Sequence, residues 1–291
     1  EERWPAGNPK VTGNNIAGVR TGEWTWYFSN GKPEKRATYD RGKLQGPYAV
    51  YFENGQENAN GFYANGLKDS TWTWYTSAGK REMLGHFKAD RQHGLWKYWY
   101  KNEQVSSTGL FVDGEQEGEW VYYYEGGQTW KRGMWKAGLK DGLWTTWFES
   151  GQKLQEGNYA NGKEEGEWKS WFANGKQKDV GSFKEGRIDG RWQGWYPDGK
   201  PEYTGIWAND AKNGQWKFWH ENGQPREEGP YKDGKKNGRW VAYNTHGIPI
   251  SEGMYVNNTP HGAWVYFDDA GVKMREQSFV NGDPDGKCTV Y

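Results

Sequence analysis

The chain has 291 residues, and its 38 basic and 38 acidic side chains cancel to a formal charge of zero. That balance removes the bulk attraction that nucleic acid or an anionic membrane surface would need, and no apolar run approaches the ~20 residues of a membrane span. The single cysteine, Cys288, excludes an intramolecular disulfide framework and a cysteine-rich zinc site.

Leu, Ile, Val and Phe are too sparse for a conventional core, but 21 Trp and 19 Tyr take their place. Large rings bury area while keeping a polar handle, so the composition describes an ordered protein with an aromatic spine. The chain opens on Glu1 rather than Met, which suggests a processed or trimmed chain and favours a secreted or envelope location over the cytoplasm.

Residues 1–21 carry Gly7, Gly13 and Gly18 in the same frame as the repeats from residue 22 onward, with Asn15 where an aromatic belongs, and read as a partial repeat or cap. From residue 22 a G-x-W step recurs at Gly22, Gly46, Ser70, Gly94, Gly118, Gly142, Gly166, Gly190, Gly214, Gly238, Gly262 and Gly286, always 24 residues apart. A register kept without insertion marks a repeat architecture in which each unit packs on its neighbours. Eleven full repeats are expected over 22–285, with 286–291 as a partial repeat or cap.

Two residues after each anchor comes an inner column: Trp24, Tyr48, Trp72, Trp96, Trp120, Trp144, Trp168, Trp192, Trp216, Trp240 and Trp264, broken only at Cys288. Five residues after it comes an outer column, always aromatic, in which Trp99, Trp147, Trp171, Trp195 and Trp219 replace the Tyr or Phe of the other repeats. A third column runs from Tyr39 and Tyr63 through Phe87 to Tyr255 and Phe279.

Turn signals separate the columns. Asn30-Gly31, Asn54-Gly55, Asn174-Gly175, Asp198-Gly199 and Asn222-Gly223 occupy one place, and Asn65-Gly66, Asp113-Gly114, Asn161-Gly162 and Asp233-Gly234 the other. Such pairs favour φ > 0 and tight hairpins, so each unit is predicted to be two short strands and two turns, with almost no helix. Pro33, Pro201, Pro225 and Pro249 fall between the first turn and the second strand, where no ladder donor is lost. Within the second strand a glycine recurs from Gly61 to Gly253; a neighbouring Trp ring lying flat over that bare backbone would explain it. The fold class is therefore all-β, an elongated meander of about twelve 24-residue hairpin units, an open sheet or solenoid expected to form a rod or trough.

The unit Y-x-N-G-K-x-x-G-x-W-x-x-W-[YF]-x-x-x-G, clearest in "YANGKEEGEWKSWFANGK" at 159–176 and "YKDGKKNGRWVAYNTHG" at 231–247, resembles the MORN repeat (membrane occupation and recognition nexus). His93-Gly94 and His261-Gly262 match the His-Gly common in such units. Trp in place of the second glycine of the family's G-x-G makes the chain most similar to the bacterial variant known as the YwqK-type antitoxin family. The resemblance implies an elongated β-meander and a role in holding partners; it does not name the partner.

Catalytic chemistry is not expected. His93 and His261 are seven repeats apart, and His86 with His93 lacks a third ligand for zinc. Cys288 sits in a broken Trp slot with no nearby histidine. The acid before many anchors (Asp69, Glu117, Asp141, Glu165, Asp189, Asp285) obeys the repeat rather than breaking it, which points to turn chemistry rather than a glycosidase pair. No cofactor or metal site is expected.

Strand alternation places the inner and outer columns on opposite faces, barring a bulge. The outer tryptophans Trp99, Trp147, Trp171, Trp195 and Trp219 are the candidate partner-binding residues, the alternative being that they pack together and complete the spine. The expected function is a non-enzymatic scaffold for a protein partner in a bacterial assembly or cell envelope. A carbohydrate-binding module is the alternative, since Trp rings spaced by roughly 10 Å would suit an extended glycan. Nucleic acid is not an expected partner, and membrane contact has little support beyond the family's name.

Overall fold

The computed structural model describes residues 2–291 and is all-β, with 26 strands and, among the described residues, no helix. The chain divides into two units, residues 1–141 and 142–291. Unit 1 begins with β1 (Val11–Ile16), β2 (Val19–Tyr27) and β3 (Pro33–Asp40), and its last complete strands are β10 (Glu115–Tyr123) and β11 (Thr129–Lys136). The next strand, β12 (Leu139–Trp147), runs across the division. Unit 2 continues from β13 (Lys153–Ala160) and β14 (Lys163–Trp171) to β26 (Asp283–Val290). Within each unit successive strands pair antiparallel in chain order. Two strands are split in the same way: Arg187–Ile188 (β16) is separated from Gly190–Trp195 (β17), and Lys235–Lys236 (β21) from Gly238–Tyr243 (β22).

The inner column is the core. Trp72, Trp96, Trp120, Trp216 and Trp240 are only 1–2 % exposed. Each Trp stands opposite a glycine, as Trp168 does with Gly157 and Trp216 with Gly205. A Cβ added to Gly205 would lie 2.1 Å from Trp216 Cδ2, and one on Gly61 equally close to Trp72. The indole thus lies across bare backbone, as the glycine column predicts, and its Nε1–H donates to the carbonyl one residue beyond the glycine: Trp216 to Ile206 at 3.1 Å, Trp120 to Leu110 at 2.9 Å. Burying ~200 Å² per ring contributes about 5 kcal/mol, an upper bound. Where the glycine is lost the tryptophan is lost too: Ala37 precedes Tyr48, and Gln277 precedes Cys288, which is exposed.

Third-column rings fill the gaps edge-on. Phe87 meets Trp72 at 79° and Trp96 at 81°, and Tyr231 meets Trp216 at 79° and Trp240 at 86°. Edge-to-face geometry suits ring quadrupoles, so rings of the two columns alternate along each spine.

The two turns differ, which corrects the expectation that both Asn-Gly sites adopt φ > 0 throughout. In the second turn both residues do so, as at Asn65 (53°) and Gly66 (87°), giving the type I′ hairpin. In the first turn only the glycine does, for example Gly55 at 91°. Gly55 N–H donates to Phe52 O, and Phe52 N–H to Gln56 O, a longer loop ending in a left-handed residue. The asparagine serves another purpose there: Asn54 Oδ1 accepts from Gln56 N–H, and its Nδ2 donates to Ser77 O in the next repeat's turn. Asn30, Asn102, Asn174 and Asn222 do the same. Pro33, Pro201, Pro225 and Pro249 are each the first residue of their strand rather than a linker before it.

All twelve anchors have φ between 61° and 114°, Ser70 included. The register shifts at this position, between Glu117 and Val121 for example. The glycine of G-x-W is therefore a bulge residue as well as a register mark, chosen because only glycine adopts φ > 0 without strain.

Candidate partner-binding face

Residues one, three and five after the anchor share the face opposite the spine. Across the ladder they meet residues of the second strand, as Leu95 meets Leu110, Glu119 meets Met134, and Arg239 meets Met254. The outer column lies here. Trp99, Trp147, Trp171, Trp195 and Trp219 are all half-buried, less enclosed than nearly all the inner tryptophans. Four of them hold the same place in successive repeats of unit 2, whereas Trp99 belongs to unit 1, so the structure places these five residues in two groups.

Local polar groups fix some of these rings. Arg81 lies 5.2 Å from the Trp99 ring centre and Lys153 5.6 Å from that of Trp171. The carbonyl of Trp219 accepts the Tyr196 hydroxyl at 2.6 Å, and Tyr243, an outer tyrosine, donates its hydroxyl to Glu228 at 2.9 Å. Burial, and then Glu228, push the Tyr243 pKa up to about 12. Glu228 is held below the ordinary carboxylate range by Lys217, 3.0 Å away, against a smaller opposing effect of burial.

Sequence reasoning missed the apolar residues on this face, because the slots after the anchor and after the second-strand glycine that hold them change residue type from repeat to repeat. On unit 1 Leu95, Leu110 and Met134 are 43–47 % exposed, and on unit 2 Leu143, Ile206 and Met254 are 43–51 % exposed. Unit 1 also has a groove of about 590 Å³ floored by Pro47 and Ala49 between Arg36, Tyr51, Asn60 and Phe62.

Three of the six recurrent acids have a structural role. Glu117, Glu165 and Asp189 accept from the backbone N–H of Ala137, Glu185 and Asn209, the first residue of the next repeat's second turn. His86 and His93 stand opposite each other. Among the described residues no three of His, Cys, Asp or Glu are close enough to hold a metal ion.

A family model described as "MORN repeat variant" matches residues 20–41, 92–113, 116–137, 140–161, 164–185, 188–209 and 212–233, together more than half of the chain. The protein belongs to the MORN repeat family. No curated protein matches it significantly. Among solved structures it is similar to chains in "Crystal Structure of TcdB2-TccC3" and "Crystal Structure of TcdB2-TccC3-Cdc42", each at 10 % identity, with TM-scores of 0.20 and 0.19. In each case the match takes in 96 % of this chain but only 18 % of the solved one. This MORN protein therefore spans about a fifth of the length of those chains.

Proposed function

We propose that this MORN protein is a non-enzymatic scaffold that holds a protein partner on the face bearing the outer tryptophans. The observation that carries this reading is the contrast between faces: one consumes its rings in the spine, while the other keeps a half-buried aromatic column flanked by exposed Leu, Ile and Met. Aromatic and Met side chains are enriched in protein interfaces, and apolar clusters rimmed by polar groups mark interaction sites more often than isolated apolar residues do. Three of the recurrent acids, Glu117, Glu165 and Asp189, are occupied with turn N–H groups. The Trp replacing the family's second glycine supports assignment to the bacterial YwqK-type subgroup, and with it a setting in a bacterial assembly or cell envelope.

A pull-down from lysate and envelope fractions, comparing the native chain with the Trp171→Ala/Trp195→Ala variant of verified fold, tests this reading. A protein captured by the native chain and lost from the variant is the expected result. A polysaccharide captured in that pattern would replace it with the carbohydrate-binding reading, for which the Trp column of unit 2 is the favouring feature. Equal capture by both chains would remove the outer column from the binding site.

A further inference from the structure

On the spine face, several repeats seat one of the chain's own cations against the rings. The residue two before the anchor supplies it: Arg20 lies 4.7 Å from the Trp24 ring centre, Lys68 4.8 Å from Trp72, Lys212 4.5 Å from Trp216, and Lys236 4.0 Å from Trp240. The Lys236 site is the most complete. Its Nζ is also 5.4 Å from the Tyr255 ring centre and donates to Glu227 Oε2 at 2.6 Å, so an ammonium is held between two rings and a carboxylate.

Two repeats earlier the same frame is present without the cation. Asp179 stands opposite Gly194 as Glu227 stands opposite Ala242, and Trp192 and Trp207 occupy the places of Trp240 and Tyr255. The backbone agrees, since both strands split before the anchor, and Gly190 and Gly238 have φ of 102° and 112°. At the place of Lys236, however, stands Ile188.

The surroundings have opened beside Ser170, whereas at Gly194 the ring of Tyr203 lies over the bare backbone. The residue four after the anchor, aromatic in Trp74, Tyr98, Tyr122 and Phe218, is Thr146, Ser170 and Gly194 in three successive repeats of unit 2. A cavity of about 260 Å³ lies between Trp168, Phe183 and Trp192, with Ser170 and Asp179 in its lining together with Lys169, which pairs with Glu167 at 2.6 Å, and Lys178. Trp192 is half-buried, whereas Trp240 is 2 % exposed. Asp179 accepts only neutral donors, Ser170 Oγ at 2.9 Å and Tyr203 OH at 2.5 Å, leaving its charge to a loose contact with Lys178 at 4.0 Å. A carboxylate offers about four acceptor sites, so two remain, and Lys178, an exposed cation 4.0 Å away, competes weakly.

We propose that the cavity around Trp192 and Asp179 is a binding site for a basic side chain, lysine or arginine, of a protein partner, which meets there the same kind of ring and carboxylate that hold Lys236 from within two repeats later, in the space that Phe218 fills in that repeat and Ser170 leaves open. Aromatic faces and a carboxylate together select an organic cation. The inference deepens the partner-scaffold reading and adds a contact on the opposite face from the outer tryptophans.

The test follows the indole N–H resonances of the full-length protein during titration with the blocked pentapeptide Gly-Gly-Lys-Gly-Gly, its arginine counterpart, a norleucine counterpart and choline. Because no native partner is involved, its failure would leave the pull-down result standing. A saturable shift of the Trp192 resonance is expected with the lysine and arginine peptides and not with norleucine. Binding should weaken at least tenfold in Asp179→Asn and in Ile188→Lys, where the new lysine fills the site from within. The resonances of the other inner tryptophans verify the fold of each variant. Equal shifts with norleucine, no shift at Trp192, or undiminished binding in folded Ile188→Lys would overturn the proposal. Choline binding more tightly than either basic peptide would overturn the assignment to a protein side chain.

Discussion

Trp216 and Trp219 lie three residues apart on one strand and have different roles. Trp216 is 1 % exposed, lies across Gly205, donates to Ile206 O and meets Trp207 and Tyr231 edge-on. Trp219 is half-buried on the other face, and the hydrogen bond it accepts goes to its backbone carbonyl rather than its ring. The comparison teaches that residue type alone does not place an aromatic in the core of a repeat sheet; the bare backbone opposite it does.

The largest expected effect comes from removing each ring in turn. Trp216→Ala should cost about 3–5 kcal/mol, the usual range for a buried Trp, and Trp219→Ala about 1–2 kcal/mol less, because part of its area already meets water. Urea denaturation of both variants measures this, and equal costs would break the comparison. Because a repeat array can lose cooperativity, the slope with denaturant should be compared as well.

Next in size is the glycine beneath the ring. Gly205→Ala forces a methyl group into the Trp216 indole and should cost about 1–3 kcal/mol. The one full repeat in which both partners have changed sharpens the point. Ala37 is 1 % exposed and pairs with Tyr48. Tyr48→Trp alone should clash and destabilise by about 1–3 kcal/mol, whereas Ala37→Gly/Tyr48→Trp should restore most of that loss. A double-mutant cycle reads the coupling, and additivity of the two changes would sink the ring-on-glycine account.

Alkaline pH should weaken the fold. Burial, then Glu164, raise the Tyr159 pKa to about 12, and burial raises those of Tyr48, Tyr63, Tyr231 and Tyr255. A folded-state pKa above the unfolded value near 10 means that the native chain binds the proton more tightly. The stabilisation is complete below pH 10 and is lost as pH rises from about 10 towards 12. Stability measured across that window should fall, and Tyr159→Phe should reduce the slope.

The smallest effect belongs to the anchor. Ser70 holds φ at 61° where the other anchors are glycine, so Ser70→Gly should stabilise by about 1 kcal/mol through relief of strain, read as a raised denaturation midpoint.

Much of this was legible in the sequence. The 24-residue spacing placed the strands, the inner column and the glycine it covers, because strict periodicity converts directly into neighbour contacts. The role of Asn54 was not legible: its amide reaches a carbonyl one repeat away, and the same Asn-Gly pair forms a different turn at Asn65. The anchor's bulge was hidden for a related reason, since a glycine in a repeat signals a special conformation without saying which. The candidate face was only partly readable. Alternation gave the outer column its side of the sheet, but Leu95, Leu110 and Met134 become neighbours only through the register. The cavity beside Trp192 depends on the ring that Ser170 lacks.

The most direct test of the division between the columns is hydroxyl-radical footprinting, read residue by residue by mass spectrometry, on the free protein and on its complex with the captured partner. The account predicts that Trp99, Trp147, Trp171, Trp195 and Trp219 oxidise faster than Trp72, Trp96, Trp216 and Trp240 in the free chain, and that the partner then protects the outer group. Outer tryptophans as protected as the inner ones in the free chain, or unchanged by the partner, would contradict it.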